Sequence, residues 1–232
     1  MKKLILPLAA FALSLTFYAC DEAAGDDKNT AKEEKTEQTH DHNKKDKEKK
    51  EVPSIEIGAQ PEGLRFNVFD TDGNESELMS YAGDNGLLVI FTCNTCPFVV
   101  AWEDRYNEVA AAAAEVGIGT VLLNSNEDFR DEDDSPEAMA QHAEELGYTM
   151  PYLIDTDHKI ADDFGAKTTP HVFLFDAAGT LIYRGAIDDN YEFADKVEQP
   201  YLKNALAAAG AGETIDPETT KALGCSIKRL KK

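Results

Sequence analysis

The 232-residue chain carries 23 basic and 44 acidic residues, and its formal net charge at pH 7 is −21. Residues 1–50 contain as many Lys as Asp and Glu residues, so the excess negative charge belongs to residues 51–232. A domain of this charge repels nucleic acid and anionic membrane surfaces, and we therefore exclude nucleic acid as a partner. Only the last seven residues, SIKRLKK, form a basic segment, which we expect to be a solvated tail.

The first 20 residues have the pattern of an export signal. Lys2 and Lys3 precede an apolar stretch that has signal-peptide rather than membrane-spanning length. The residues FYAC, 17–20, resemble a bacterial lipoprotein cleavage box, which predicts a signal peptide at 1–19 and a lipid anchor on Cys20. The protein would then be an exported lipoprotein of the cell membrane or the outer membrane that faces the periplasm, where disulfides persist. An ordinary signal peptide or an uncleaved anchor is the alternative.

Residues 20–51 are predicted to form a disordered, charged linker behind the anchor. After Cys20 this segment contains no aromatic residue and no aliphatic residue larger than Ala. It therefore cannot bury enough apolar surface to offset the entropy lost on ordering. A flexible chain of this length reaches about 30 Å on average, which suits a tether between a membrane and a folded domain. Residues 52–232 are long enough for one such domain with its own core.

Predicted strands and helices alternate from residue 63 onwards. Residues 63–70, GLRFNVFD, alternate apolar and polar side chains, which is typical of a half-buried strand. Residues 86–92, GLLVIFT, are continuously apolar, as expected for a central strand with both faces covered. Apolar residues then recur at helical spacing from Phe98 to Val116, and Gly117 ends this predicted helix.

The remaining elements complete an α/β layer fold. Residues 118–124, IGTVLLN, predict a second buried strand, and Ser135 with Pro136 predicts the start of a helix that runs to Gly147. The later predicted elements are a strand at 152–155, a short helix at 160–164, strands at 171–176 and 181–185 joined by a turn, and a helix at 195–209. A β-α-β unit followed by a β-hairpin and a helix indicates an α/β fold.

Cys93 and Cys96 form a Cys-x-x-Cys motif between the predicted central strand and the long helix. Two cysteines three residues apart on a first helical turn are close enough for a disulfide, and a helix N-terminus favours the thiolate of the leading cysteine. A structural zinc site needs four ligands, and the sequence has no second Cys-x-x-Cys or His-x-x-His motif. The pair is therefore interpreted as a redox dithiol, with no metal and no other cofactor.

Residues 55–228 resemble the redoxin branch of the thioredoxin superfamily, which includes peroxiredoxin-like proteins and thiol–disulfide oxidoreductases. The matching segments are FDTDGN (69–74), FTCNTCPF (91–98), NSN (124–126), GAKTTPHVFLFD (165–176), LIYRGAIDD (181–189) and GCSIK (224–228). The resemblance implies a thioredoxin-like fold, in which helices flank a central mixed β-sheet. It also implies that Thr169 and Pro170 form a cis-proline turn that packs beside the dithiol at the helix N-terminus and pairs with substrate backbones.

The sequence departs from thioredoxins close to the dithiol. Thr92 replaces the Trp before the first cysteine, and Leu87 replaces the buried acid six residues before that cysteine. The base that accepts the proton of Cys96 is therefore not assigned. His171, next to the predicted cis-proline, is a candidate for proton transfer because imidazole titrates near neutral pH. A strand histidine that faces away from the site is the favoured alternative.

The predicted function is thiol–disulfide exchange with protein clients of the cell envelope that carry disulfides or dithiols. We expect Cys93 to be exposed, to ionise first and to attack the client, and Cys96 to resolve the mixed disulfide. Asn94 and Thr95 add no positive charge that would stabilise a thiolate, so a reductant is favoured over a strong oxidant. Cys225 is interpreted as a small residue that anchors the C-terminal segment, and a second resolving thiol is the alternative.

Two other functions remain open at this point. Peroxiredoxins carry Pro-x-x-x-Thr-x-x-Cys, but the corresponding positions before Cys96 are Val89 and Cys93. A thiol peroxidase is nevertheless an alternative, because a reactive thiolate beside a resolving cysteine reduces peroxide. A copper-binding envelope protein is the other alternative. Thiolates and imidazole suit copper, and His171 would be the third ligand, although envelope copper chaperones of this fold have three residues between their cysteines.

Overall fold

The computed structural model describes residues 53–230. The predicted signal peptide at 1–19, the linker at 20–51 and the predicted lipid anchor on Cys20 lie outside the described residues. Within residues 53–230, no helix has both the length and the apolar composition needed to cross a membrane.

The described residues form a seven-stranded mixed sheet in the order β2-β1-β5-β4-β3-β7-β8. The strands are β1 (Asn67–Phe69), β2 (Glu75–Glu77), β3 (Gly86–Thr92), β4 (Ile118–Asn124), β5 (Tyr152–Ile154), β7 (His171–Asp176) and β8 (Leu181–Gly185). Strand β3 runs parallel to β4 and antiparallel to β7, and every one of its residues is buried. This burial confirms the central strand that the continuous apolar run predicts. Two short strands, β6 (Thr168–Thr169) and β9 (Cys225–Ser226), form a separate antiparallel pair.

Five α-helices flank the sheet within the described part of the chain. They are α1 (Pro97–Trp102), α2 (Tyr106–Glu115), α3 (Pro136–Glu145), α4 (Lys159–Phe164) and α5 (Tyr201–Ala211). The N-cap prediction for α3 is confirmed, because Ser135 Oγ accepts a hydrogen bond from the Ala138 amide and Pro136 occupies the first turn. This layered arrangement confirms the α/β fold class predicted from the sequence.

Three predicted elements have different bounds in the structure. The helix predicted from Phe98 to Val116 is split into α1 and α2 by a 3₁₀ turn at Glu103–Arg105. The strand predicted at 63–70 is shortened to β1, because a 3₁₀ turn occupies Glu62–Arg65. The last helix begins at Tyr201 instead of residue 195. Pro200 is its N-cap, and a proline disfavours helical backbone in the residue before it.

Side chains of β3 point alternately into two cores. Ile90 belongs to the core that also contains Cys93 and Cys96 and that α1, α2 and α5 cover. Phe91 points to the other face, into the core that α4 covers. His171 is paired with Phe91 across the β3–β7 ladder, and directly paired residues lie on the same face of a sheet. The fold therefore places the two thiols and the imidazole on opposite faces.

Candidate active site

The dithiol lies at the carboxyl end of the central strand. Cys93 directly follows β3, and Cys96 is the N-cap residue of α1, which begins with Pro97. Both side chains are buried, with Cys93 3% and Cys96 4% exposed. The prediction that Cys93 is exposed is therefore wrong, because the residue still lies within the core of the sheet. Thr95 and Pro97, on either side of Cys96, are exposed.

Thr169 contacts both sulfur atoms. Its side-chain oxygen Oγ1 lies 3.2 Å from Cys93 Sγ, and its backbone carbonyl accepts a hydrogen bond from Cys96 Sγ at 3.1 Å. The peptide bond between Thr169 and Pro170 is cis, and both residues are buried. The residues that the resemblance implied for substrate binding thus lie directly against the dithiol. All three thiols in the described residues, those of Cys93, Cys96 and Cys225, are free.

The two thiols of the motif have opposite pKa shifts. A hydrogen bond from the Cys93 thiol is the largest cause that lowers the pKa of Cys96, to about 4, and the Val99 amide in the first turn of α1 also stabilises its thiolate. Sharing its proton with Cys96 is the largest cause that raises the pKa of Cys93, and burial adds to the shift. The Thr169 carbonyl accepts a hydrogen bond from the protonated Cys96 thiol, which opposes ionisation. The hydrogen-bond donors from Cys93, Cys225 and Val99 act in the opposite direction and lower the pKa.

These shifts reverse the predicted order of ionisation. The sequence predicted that Cys93, as the leading cysteine, would ionise first at the helix N-terminus. In the structure α1 begins only after Cys96, and the Val99 amide in its first turn is one of the causes that lower the pKa of Cys96. The negative charge of Asp134 also disfavours a thiolate on Cys93. The surroundings of the pair therefore favour a thiolate on Cys96 over one on Cys93.

A buried polar network holds the segment between the two cysteines. The Asp134 carboxylate is fully buried and accepts hydrogen bonds from the Asn94 amide at 2.9 Å and from the Asn124 side chain at 2.8 Å. Asn126 donates to its other oxygen at 2.9 Å. The Tyr152 hydroxyl donates to the Asn94 side chain at 2.8 Å. These bonds hold the backbone and the side chain of Asn94 in place. They thereby help to position Cys96 at the start of α1.

The sequence did not distinguish Asp134 from its acidic neighbours. It lies in the run DEDDSP, in which every acidic residue reads as a solvated charge. Two of its donors do come from the segment NSN at 124–126, which was noted only for the family resemblance. The arrangement depends on residues from separate loops, and no local pattern signals it.

His171 does not meet the dithiol. Its ring centroid lies 4.5 Å from that of Phe173, in the core on the other face of the sheet, and its Nδ1 accepts from the Lys167 amide at 3.4 Å. Burial lowers the pKa of His171 to about 3, so the imidazole is neutral near pH 7. This placement agrees with the favoured interpretation of a strand histidine that faces away from the site. The two cysteines and His171, which were considered as copper ligands, therefore lie on opposite faces of the sheet. Among the described residues, no group of three or more His, Cys, Asp or Glu side chains is arranged to hold a metal ion.

A peroxidase would need an arginine to hold peroxide beside the reactive thiol, and the side chains of Arg105 and Arg184 are bound to carboxylates. Arg105 Nη1 donates to the buried carboxylate of Asp188 at 2.5 Å, and Trp102 donates to the other oxygen of the same carboxylate at 2.9 Å. Arg184 lies 3.7 Å from the exposed carboxylate of Glu56. The Asp188 contacts join α1 to the loop after β8 and coincide with the break between α1 and α2. These contacts stabilise α1, the helix that follows Cys96. The Arg105 guanidinium is thereby bound to Asp188.

Comparisons with known proteins concern the family and the fold. The model of the Redoxin family matches residues 47–205. A hypothetical protein from Sinorhizobium meliloti 1021 is 30% identical, with a TM-score of 0.70, and the match covers 78% of this chain and 98% of that one. An uncharacterized conserved protein from Geobacillus kaustophilus is 31% identical, with a TM-score of 0.68 and coverage of 78% and 94%.

A more distant similarity concerns the fold alone. A thioredoxin-like protein solved in its oxidised form in solution is 20% identical, with a TM-score of 0.53, over 68% of this chain and 97% of that one. No curated protein matches the sequence.

Proposed function

Since the chain belongs to the Redoxin family and is thereby a thiol oxidoreductase, we propose that it exchanges disulfides with protein clients of the cell envelope through Cys93 and Cys96. The observation that carries the proposal is the geometry of the pair: both buried thiols contact Thr169, which precedes the cis peptide bond to Pro170. Thiol–disulfide exchange needs a thiolate to attack and a second thiol to release the client.

Cys96 is the attacking thiol in this proposal. In the reducing direction its thiolate attacks one sulfur of a client disulfide, a Cys96–client disulfide forms, and the second client sulfur leaves as a thiolate that takes a proton. The charge on Cys96 is then gone, and with it the main cause of the raised pKa of Cys93. Cys93 loses its proton and attacks Cys96 Sγ, which releases the first client sulfur. Two electrons pass to the client, and the same steps in reverse oxidise a client dithiol.

Thr169 suits the role of holding the reacting sulfurs in line. Its hydroxyl and its carbonyl touch Cys93 and Cys96 respectively, so one residue sets the position of both thiols. The exposed residues around the motif offer a client surface, since Thr95, Pro97 and Val100 are all exposed and Val100 presents an apolar side chain to solvent. The proposed client is therefore an extended, partly apolar protein segment that carries a disulfide or a dithiol.

Replacement of each thiol by serine tests this proposal. We expect Cys96→Ser to abolish reduction of insulin disulfides with dithiothreitol as the donor. We expect Cys93→Ser to retain attack, so that Cys96 still forms a covalent adduct with oxidised glutathione, whether or not another thiol later resolves that adduct. Adduct formation by Cys96→Ser, at Cys93, would contradict the assignment of the two thiols. Loss of adduct formation in both variants, with unfolding free energies unchanged, would contradict thiol–disulfide exchange itself.

Peroxide reduction is the second candidate, because an ionised thiol beside a resolving cysteine also attacks peroxide. Cys96 would displace one oxygen of hydrogen peroxide as water and become a sulfenic acid, and Cys93 would condense with it to a disulfide and a second water. Peroxide consumption that depends on Cys96 and exceeds the rate of disulfide exchange would favour this function.

The proposed location is a cell-envelope membrane, through a lipid on Cys20. Its support is the sequence pattern of residues 1–20, which precedes a charged segment of tether length. Cys20→Ala should release the protein from membranes or leave its signal peptide uncleaved. Fractionation of the unmodified protein into the soluble phase after export would contradict the anchor.

A further inference from the structure

The third thiol of the described domain lies beside the dithiol. Cys225 belongs to β9, and its Cα is the partner of Thr169 in the antiparallel β6–β9 pair. Thr169 is the residue that touches both Cys93 and Cys96. The Cys225 side chain is half-buried and packs against the core that contains the two catalytic thiols.

The C-terminal segment is fixed in this position by its backbone. The Ile227 amide donates to the Lys167 carbonyl at 3.0 Å, and the Lys228 amide donates to the Asn126 side chain at 2.8 Å. A Cβ atom added to Gly224 would lie 2.2 Å from the Thr169 carbonyl oxygen, so only glycine permits this close approach. Ile227 and Lys228 belong to the basic segment that was predicted as a solvated tail. The prediction is wrong for these two residues, because their backbones are hydrogen-bonded to the domain.

The Cys225 thiol is close enough to Cys96 to affect its ionisation. A hydrogen bond from the Cys225 thiol and another from the Cys225 amide both stabilise the Cys96 thiolate. Burial, followed by this contact with Cys96, raises the pKa of Cys225 to about 11, so Cys225 keeps its proton while Cys96 is ionised. Cys225 is thus a second protonated thiol beside Cys96, and the β6–β9 pair holds it there through Thr169.

We propose that Cys225 is a second resolving thiol, which forms a reversible disulfide with Cys96. The proposal rests on the proposed exchange function and adds to it the route by which a Cys96–client disulfide is released. Thr169 lies between β9 and the dithiol, so that Cys93 approaches Cys96 from the end of β3 and Cys225 approaches it from β9. The site would then hold one attacking thiol and two alternative partners.

The proposed step conserves atoms and electrons. A client sulfur is bonded to Cys96 after the first attack. Cys225 loses its proton and attacks Cys96 Sγ, the Cys96–Cys225 bond forms, and the client sulfur leaves as a thiolate that takes a proton. The client gains two electrons in all, as it does when Cys93 resolves. A dithiol reductant returns the Cys96–Cys225 disulfide to two thiols, by the chemistry that reduces Cys93–Cys96.

The test uses the full chain with Cys20→Ser, so that the three thiols of the domain are the only ones present. The Cys93→Ser variant is treated with one equivalent of oxidised glutathione, and its disulfides are mapped by mass spectrometry. We expect a Cys96–Cys225 disulfide and two released glutathione molecules per protein. The Cys93→Ser/Cys225→Ser double variant should stop at the Cys96–glutathione adduct. Persistence of that adduct in the single variant would overturn the role of Cys225 and leave the proposed exchange function intact.

Gly224→Ala tests whether the position of Cys225 matters. The added Cβ displaces β9 from Thr169, and every thiol stays present. In the Cys93→Ser background it should slow Cys96–Cys225 formation at least about tenfold, which corresponds to roughly 1.4 kcal/mol in the barrier. In the parent background it should slow formation of Cys93–Cys96 less than this, because Cys93 is placed by β3 and not by β9. An unchanged rate of Cys96–Cys225 formation would also overturn the proposal, because the disulfide would then not depend on the bound segment. Failure of the parent protein to react with glutathione at all would instead contradict the proposed function.

Discussion

The backbone carbonyl oxygen of Thr169 accepts a hydrogen bond from Cys96 Sγ at 3.1 Å, at the N-terminus of α1. A carbonyl can only accept, so this contact favours the protonated thiol, whereas the donors around Cys96 favour the thiolate. When Cys96 is protonated, its thiol therefore donates a hydrogen bond to the Thr169 carbonyl without any movement of the backbone. Neighbouring groups thus stabilise both the protonated and the ionised form of Cys96. This suits a thiol that changes between these forms in each reaction cycle.

The first prediction concerns the titration of the reduced dithiol. Ultraviolet absorbance of the thiolate should show one group that ionises near pH 4 and is fully ionised at pH 7. Cys93→Ala should raise the pKa of Cys96, because it removes the largest cause of the lowered value. Cys93→Ser should raise it less, because its hydroxyl still donates. A first ionisation near the ordinary thiol range in the parent protein would contradict the assignment.

The same shift has a consequence for stability. A lowered pKa in the folded protein stabilises the fold fully only above the pKa of the unfolded thiol, about 8.5, and this contribution declines as the pH falls towards 4. The unfolding free energy of reduced protein should therefore fall across this range relative to Cys96→Ser protein, in which the group is absent.

The second prediction concerns the reduction potential. Stabilisation of the Cys96 thiolate stabilises the reduced dithiol, so we expect a potential above that of thioredoxin, about −270 mV. This differs from the reductant predicted from the sequence. That prediction considered only the uncharged Asn94 and Thr95, whereas the donors to Cys96 are backbone amides and thiols. Equilibration with glutathione buffers measures the potential. A value at or below that of thioredoxin would restore the reductant interpretation.

The third prediction concerns the Thr169 hydroxyl. Thr169→Val removes the hydrogen bond to Cys93 and leaves the backbone carbonyl that faces Cys96. We expect release of a Cys96–glutathione adduct to slow by about threefold to tenfold, as expected for loss of one hydrogen bond of roughly 1 kcal/mol. Thr168→Val is the matched control, since the Thr168 hydroxyl bonds to the Pro170 carbonyl instead. Equal slowing in both variants would mean that packing, and not the contact with Cys93, is responsible.

The fourth prediction concerns the buried carboxylate behind the motif. Asp134→Asn places an amide group against the amide donors of Asn94, Asn124 and Asn126, so at least one donor loses its acceptor. We expect a loss of about 1–3 kcal/mol of unfolding free energy, measured by urea denaturation. The pKa of Cys93 should fall, because the charge of Asp134 contributes to its raised value. Asp133→Asn, at an exposed carboxylate, should change neither quantity.

Most of the fold could be predicted from periodicity and turn residues. The apolar run at 86–92 defined the central strand, and Ser135 with Pro136 defined the start of α3. The bounds that failed depend on contacts made elsewhere in the chain. The break between α1 and α2 lies where Trp102 and Arg105 bond to Asp188, more than 80 residues away in sequence. Apolar spacing contains no information about such a contact.

The sequence by itself determined the motif, the family resemblance and hence the class of chemistry, because a Cys-x-x-Cys pair between strand and helix is a local pattern. Only the tertiary structure decided which thiol is ionised and which groups surround it. A thiol's pKa depends on donors and charges a few ångströms away, and here they come from Val99, Asp134 and Cys225. Asp134 and Cys225 lie far along the chain from the motif, and folding alone brings them to Cys93 and Cys96.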